Sequence, residues 1–118
     1  MRGVKRGQEP GAFMDEVINK ELLDAVIANR CKIVKYLLEK GADPNYYEDG
    51  AKIRPLHFAA LYNSFAVIPM LVLAGGDLDA TTECNDTPLQ IAERHNHREA
   101  AILLKKFYSI SADHPIQQ

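Results

Sequence analysis

The ten residues from Pro55, PLHFAALYNS, return in altered form at Pro88 as PLQIAERHNH, 33 positions later. The offset holds through the unit: Leu56 answers Leu89, Ala59 answers Ala92, and Asn63 answers Asn96. Upstream, LLDAVIANRCKIVKYLLEKGADPN fits the same frame at an offset of 34, so that Leu22 matches Leu56, Ala25 matches Ala59, Asn29 matches Asn63, Gly41 matches Gly75 and Asp43 matches Asp77. The one extra residue falls in the polar stretch YYEDGAKI, where an insertion costs least. This spacing constrains the fold more than any other feature of the chain. A unit of this size cannot bury its own apolar face, so three of them must stack side by side.

Within each unit the local signals are helical. Thr87-Pro88 sets a hydroxyl cap before a proline in a first helical turn, and Arg54-Pro55 starts the equivalent helix. Ala25, Ala59 and Ala92 are small where two helices must approach closely. Ile33, Val34, Leu37 and Leu38 carry the three-and-four spacing of a buried helix face, and Val67, Ile68, Leu71 and Val72 repeat it. Gly41 and Gly75 follow these helices as C-terminal caps. Pro69 is compatible with the pattern only if its helix starts late enough to hold it in the first turn.

Three units of about 33 residues carrying RPLHFAA, TPLQIA and EKGADPN resemble the ankyrin repeat. The resemblance covers roughly Asp15 to Phe107. It implies an all-α solenoid of helix–turn–helix units with short β-hairpin-like fingers between them. The first unit has Lys20-Glu21 where the others begin a helix, so its first helix can reach back toward Asp15, with Phe13 and Met14 over the open end. The third has Lys105 in place of Leu38 and Val72, and ends in FYSISADHPIQQ without a glycine turn. Both ends therefore read as polar caps, which points to a complete three-repeat domain of modest stability, on the order of 5 kcal/mol. The expected organisation is a flexible basic tail at 1–12, the repeat domain at 13–108 (units at about 13–47, 48–81 and 82–108) and a C-terminal tail at 109–118.

His57 invites a catalytic or metal reading, but its position is Gln90 in the third unit and Leu23 in the first. A site would not be built on a place that one unit alone fills. The resemblance implies a hydrogen bond across the finger junction, which Gln90 can also make. Elsewhere in RHNHRE, His95 and His97 would point to different faces of a helix, and nothing at zinc spacing completes a set, so no metal site is expected. Cys84 lies near a finger tip with no adjacent base in sequence to activate it. No phosphate loop, nucleophile motif or carboxylate pair appears, so neither enzyme nor cofactor is expected.

The net charge of −2 offers no electrostatic case for nucleic acid or a membrane surface, and there is no apolar run near 18 residues. Two cysteines make no disulfide framework, which points to a reducing, cytoplasmic setting. Lys5-Arg6 is too sparse for a localisation signal, although the nucleus stays open.

The resemblance implies a protein-interaction module, expected to be monomeric, whose free positions are the finger tips and the exposed ends of the first helices. The candidates on the first finger are Tyr46, Tyr47, Glu48, Asp49, Lys52 and Ile53, and on the second Glu83, Asn85 and Asp86. Leu61, Tyr62, Arg94 and His95 are the helix candidates. Tyr46-Tyr47, Tyr62 and Arg94 are the expected anchors, because Tyr and Arg are enriched among residues that carry binding energy. The acids give the finger edge a character suited to a basic partner segment. His57, Gln90, Gly41, Gly75, Pro55, Thr87 and Pro88 are assigned to structure. Leu37, Asp43 and Asn45 stand at a spacing that, as the resemblance implies, asparaginyl hydroxylases favour, with Pro44 replacing the usual aliphatic residue; the plainer expectation is that Asn45 closes the turn. The expected role is an adaptor or competitive inhibitor. The alternative is a structural or regulatory domain of a larger protein or assembly, including a microbial protein acting on host partners.

Overall fold

The computed structural model describes residues 10–48 and 50–116, with side chains for 15–48 and 50–111. The described residues form six α-helices and no strand: α1 (Pro10–Ile27), α2 (Cys31–Glu39), α3 (Pro55–Leu61), α4 (Ile68–Leu73), α5 (Pro88–Arg94) and α6 (Arg98–Ile116). Helices α1, α3 and α5 pack on one another as the inner row, and α2, α4 and α6 flank them.

The repeat is legible in single hydrogen bonds. The N–H groups of Arg30, Ser64 and His97 donate to the carbonyls of Ala25, Ala59 and Ala92 at 2.9, 2.8 and 2.9 Å. Each bond closes the end of an inner helix, and the residue before its donor carries positive φ: Asn29 at 57°, Asn63 at 54° and Asn96 at 59°. Asparagine tolerates this left-handed region better than most residues with a Cβ. At the ends of the outer helices, the N–H groups of Ala42 and Gly76 close α2 and α4 onto Leu37 and Leu71. Gly41 and Gly75 precede them at φ of 102° and 107°, which side-chain-bearing residues rarely adopt.

The third unit breaks this last rule. Tyr108 stands where Gly41 and Gly75 stand in the first two, so α6 does not turn and continues to Ile116. Residues 109–116, expected as a tail, are therefore helical. The first helix also departs from expectation, since α1 begins at Pro10, inside the 1–12 segment read as a tail. The side chains of Phe13 and Met14 lie outside the described residues. Pro69 falls in the first turn of α4 after a 3-10 turn at Phe65–Val67, so the helix starts late, as the proline requires.

One core runs through all three units. Leu22, Val26, Val34, Leu56, Val67, Ile68, Leu71 and Leu104 are fully or almost fully buried, each contributing about 1.5–3 kcal/mol. Ala25, Ala59 and Ala92 are buried between inner helices as their size predicts. Ile33 departs from the expected face at 44% exposed, whereas its counterpart Val67 is at 0%. The counterpart in the third unit, Ala100, is buried as well, so only the first unit, which has no repeat ahead of it among the described residues, leaves this position open. The C-terminal unit is also less polar than a solvent cap should be, because Ile102, Tyr108 and Ile110 are exposed.

Candidate functional site

His57 is fully buried. Its Nδ1 accepts from the Arg54 N–H at 3.0 Å, and its Nε2 faces the Ala80 carbonyl at 2.9 Å. A carbonyl only accepts, so the proton sits on Nε2 and the ring is neutral. Burial pushes its pKa below the ordinary histidine value, with the Ala80 carbonyl pulling part of the way back. The ring caps the start of α3 and ties that start to the second finger, the structural role the repeat implies. Gln90 keeps the capping half: its Oε1 accepts from the Thr87 N–H at 2.9 Å, while the Thr87 hydroxyl accepts from the Gln90 N–H at 3.2 Å. Arginine has no acceptor, so Arg54 cannot return the bond as Thr87 does. Leu23 needs no such group, because α1 passes through that position without starting there.

The fingers are held by side chains more than by a ladder. Among the described residues one backbone bond, Glu83 N–H to Ala51 O at 2.9 Å, crosses between them. At the finger bases, Asn19 Oδ1 accepts from the Asp43 N–H at 2.7 Å, and Asn45 Oδ1 accepts from the Asp77 N–H at 2.7 Å. Asn45 Nδ2 also donates to Gly75 O at 2.9 Å. Both ends of the Asn45 amide are thus spent on joining the first repeat to the second.

The candidate residues do not form one patch. Tyr46, Tyr47 and Glu48 gather with Glu16 and Lys20 of α1 around an open cavity of about 360 Å³. Tyr47 is half exposed, with the Arg54 guanidinium 4.6 Å from its ring centre, so it already has a cation–π partner within the chain. Lys52, Ile53 and Glu48 border a smaller depression with Leu23 and Phe58. Asp49 lies outside the described residues. On the inner face, Ile53, Leu61, Glu83, Asp86, Arg94 and His95 share a shallow cavity of about 210 Å³. Ile91, Thr82, Cys84 and Ala51 complete it. Asn85, at φ 65°, shapes the finger tip beside it. Tyr62 is exposed and stacks on Phe58 at 6.4 Å.

Arg94 is not a free anchor. Its two terminal nitrogens donate to the two Asp86 oxygens at 3.0 and 2.6 Å, a bidentate clamp between α5 and the second finger. The pairing holds the Asp86 carboxyl below its ordinary value. His95 and His97 do not point to different faces; their rings stack at 5.9 Å because both lie in the turn after α5. His97 Nδ1 meets Ala60 O at 2.8 Å and ties the third unit to the second. Among the described residues no group of three His, Cys, Asp or Glu could hold a metal ion, and no helix is long and apolar enough to cross a membrane.

Sequence reasoning missed Phe58 and Ile91 as groove residues. Phe58 precedes Leu61 by three on α3, a spacing that puts both on one helix face and could have flagged it. The Asp86–Arg94 clamp had no local signal, since its partners lie eight residues apart on different elements.

A profile of ankyrin repeats in three copies matches residues 22–115. The chain belongs to the ankyrin-repeat family, whose repeats are generally protein-interaction modules and typically not enzymes. It is 30% identical over 106 residues to the ARF GTPase-activating protein Git of Drosophila melanogaster, covering 89% of this chain and 14% of that one. It is 40% identical over 65 residues to the human Ankyrin repeat and IBR domain-containing protein 1, covering 55% of this chain and 6% of that one. Cyclin-dependent kinase 4 inhibitor B of Bos taurus is 30% identical over 83 residues, which cover 70% of this chain and 63% of the inhibitor. The chain thus spans a small part of the first two relatives and somewhat under two thirds of the third.

Proposed function

We propose that the chain binds a partner protein through its inner face, as an adaptor or competitive inhibitor. The observation that carries this is the cavity where Ile53, Leu61 and Ile91 meet a polar rim of Thr82, Glu83, Asp86, Arg94 and His95. Apolar area ringed by satisfied polar groups is what a binding face needs. The Asp86–Arg94 clamp supports the reading by holding the rim in one shape before any partner arrives, which lowers the ordering cost of association. Glu83 at the finger edge suits a partner with a basic segment. The binding unit is a monomer in the cytoplasm under this reading.

The test is affinity capture from cell lysate with the native chain and a variant carrying Leu61→Arg, Tyr62→Ala and Glu83→Lys, after circular dichroism shows both folded. Capture by the native chain alone supports the inner face. Equal capture by both would move the contact to the outer helices. Binding to the identified partner that ignores ionic strength would remove the basic-segment part. A second reading, a repeat module within a larger protein, draws on the 14% and 6% coverage of the first two relatives.

A further inference from the structure

The internal joint between repeats one and two shows what normally seats against a finger base. There the Asn45 amide, with one donor and one acceptor, reads a carbonyl (Gly75 O) and an N–H (Asp77) of the following unit. The next joint along is built from the same turn, since the Asp79 N–H donates to Asp77 Oδ1 at 2.9 Å as the Asn45 N–H does to Asp43 Oδ1 at 2.8 Å. Two of the differences matter here. Asp79 replaces Asn45, and Tyr108 replaces the glycine. Because α6 runs on to Ile116 instead of turning, no loop among the described residues comes back over the finger base. Tyr108 and Asp79 both line an open cleft of about 720 Å³.

The lining of this cleft has a definite chemistry. Leu73, Leu78, Phe107 and Ile110 supply apolar wall, with Leu73 82% and Ile110 59% exposed. Among the described residues that line it, Asp77 and Asp79 supply the only charges. A carboxylate offers acceptors alone, about four lone-pair sites, of which the Asp79 N–H fills one on Asp77. The exchange of amide for carboxylate turns a joint that reads a neutral backbone into one suited to a donor with positive charge.

We propose that this C-terminal cleft is a second docking site, separate from the inner face, for a partner segment that presents aliphatic side chains beside an arginine or lysine. The apolar wall takes the aliphatic groups, and Asp79 with Asp77 receives the cation. It does not depend on binding at the inner face.

The experiment is a titration of the ¹⁵N-labelled full chain with a short capped peptide bearing leucines four residues apart and two arginines, and with a copy in which both arginines are glutamates. Amide shifts should cluster at Leu73, Leu78, Asp79, Tyr108 and Ile110. The arginine peptide should bind about fivefold tighter than the glutamate peptide. Asp79→Asn, which restores the residue type that the first joint already folds with, should cut that preference to about twofold. Ile110→Asp, at an exposed position, should weaken binding about tenfold, with the thermal melt reporting that the fold is kept. Equal binding of the two peptides, shifts clustered at Ile53, Leu61 and Ile91, or no shifts at millimolar peptide would each overturn the proposal. A dimer seen by sedimentation and lost in Ile110→Asp would assign the cleft to a second copy and overturn it as well.

Discussion

Replacing His57 by leucine removes a buried group with two partners and leaves both behind. The Arg54 N–H loses its acceptor at 3.0 Å, and the Ala80 carbonyl loses its donor at 2.9 Å. Each orphaned buried group costs about 1–3 kcal/mol, or about 2–6 kcal/mol for the pair. Leucine fills a similar volume, as Leu23 does in the first unit, and its apolar burial offsets about 1.5–3 kcal/mol. Taking the middle of each range, the net loss should be about 2 kcal/mol. Against an expected stability on the order of 5 kcal/mol, that removes a large part of the margin. Urea unfolding followed by circular dichroism should show a lower midpoint at an unchanged slope. His57→Gln should lose about half as much, because glutamine at this position of the third repeat keeps the capping bond to Thr87. A His57→Leu protein within about 0.5 kcal/mol of the native one would refute the reasoning, since neither partner could then depend on the ring.

The same histidine predicts an acid response. Its folded pKa lies below its unfolded value of 6.5, mainly through burial, so the unfolded chain binds the proton more readily. That stability is complete above ~6.5 and falls as pH drops below it toward the folded pKa; the difference in urea midpoint between native and His57→Leu proteins should shrink over that window. Arg94→Ala should let the Asp86 carboxyl, now held low by the bidentate pair, titrate at higher pH in a carbon-detected NMR experiment. The stability tied to that carboxylate is present above its unfolded pKa and disappears as pH falls through the folded one. Gly75→Ala forces a side chain into φ 107° and should cost about 1–3 kcal/mol by thermal or urea unfolding.

Much of the architecture was readable from the chain. The recurrence of Ala25, Ala59 and Ala92 located the close helix contacts, Thr87-Pro88 and Arg54-Pro55 located two helix starts, and Pro69 required a late one. These features are local, and each carries its own steric or hydrogen-bonding reason. The site was readable only in outline. Ile53, Leu61, Glu83, Asp86, Arg94 and His95 do converge, yet Tyr46, Tyr47 and Glu48 turn toward α1 instead.

The sequence alone determined the stack, because a 33-residue unit with one apolar face has no other way to bury it. It also pointed to a hydrogen-bonding place for His57, because the repeat offers the comparison within a single chain. What only the tertiary structure decided is where polar groups find one another across units. Arg94 looked like an open anchor and is clamped by Asp86; Asn45 looked like a turn residue and joins two repeats. The end of the solenoid was decided there as well. The missing glycine at Tyr108 is visible in the sequence, but the open cleft beside Asp79 depends on where a continuing helix lies relative to a finger, and that distance is set by packing.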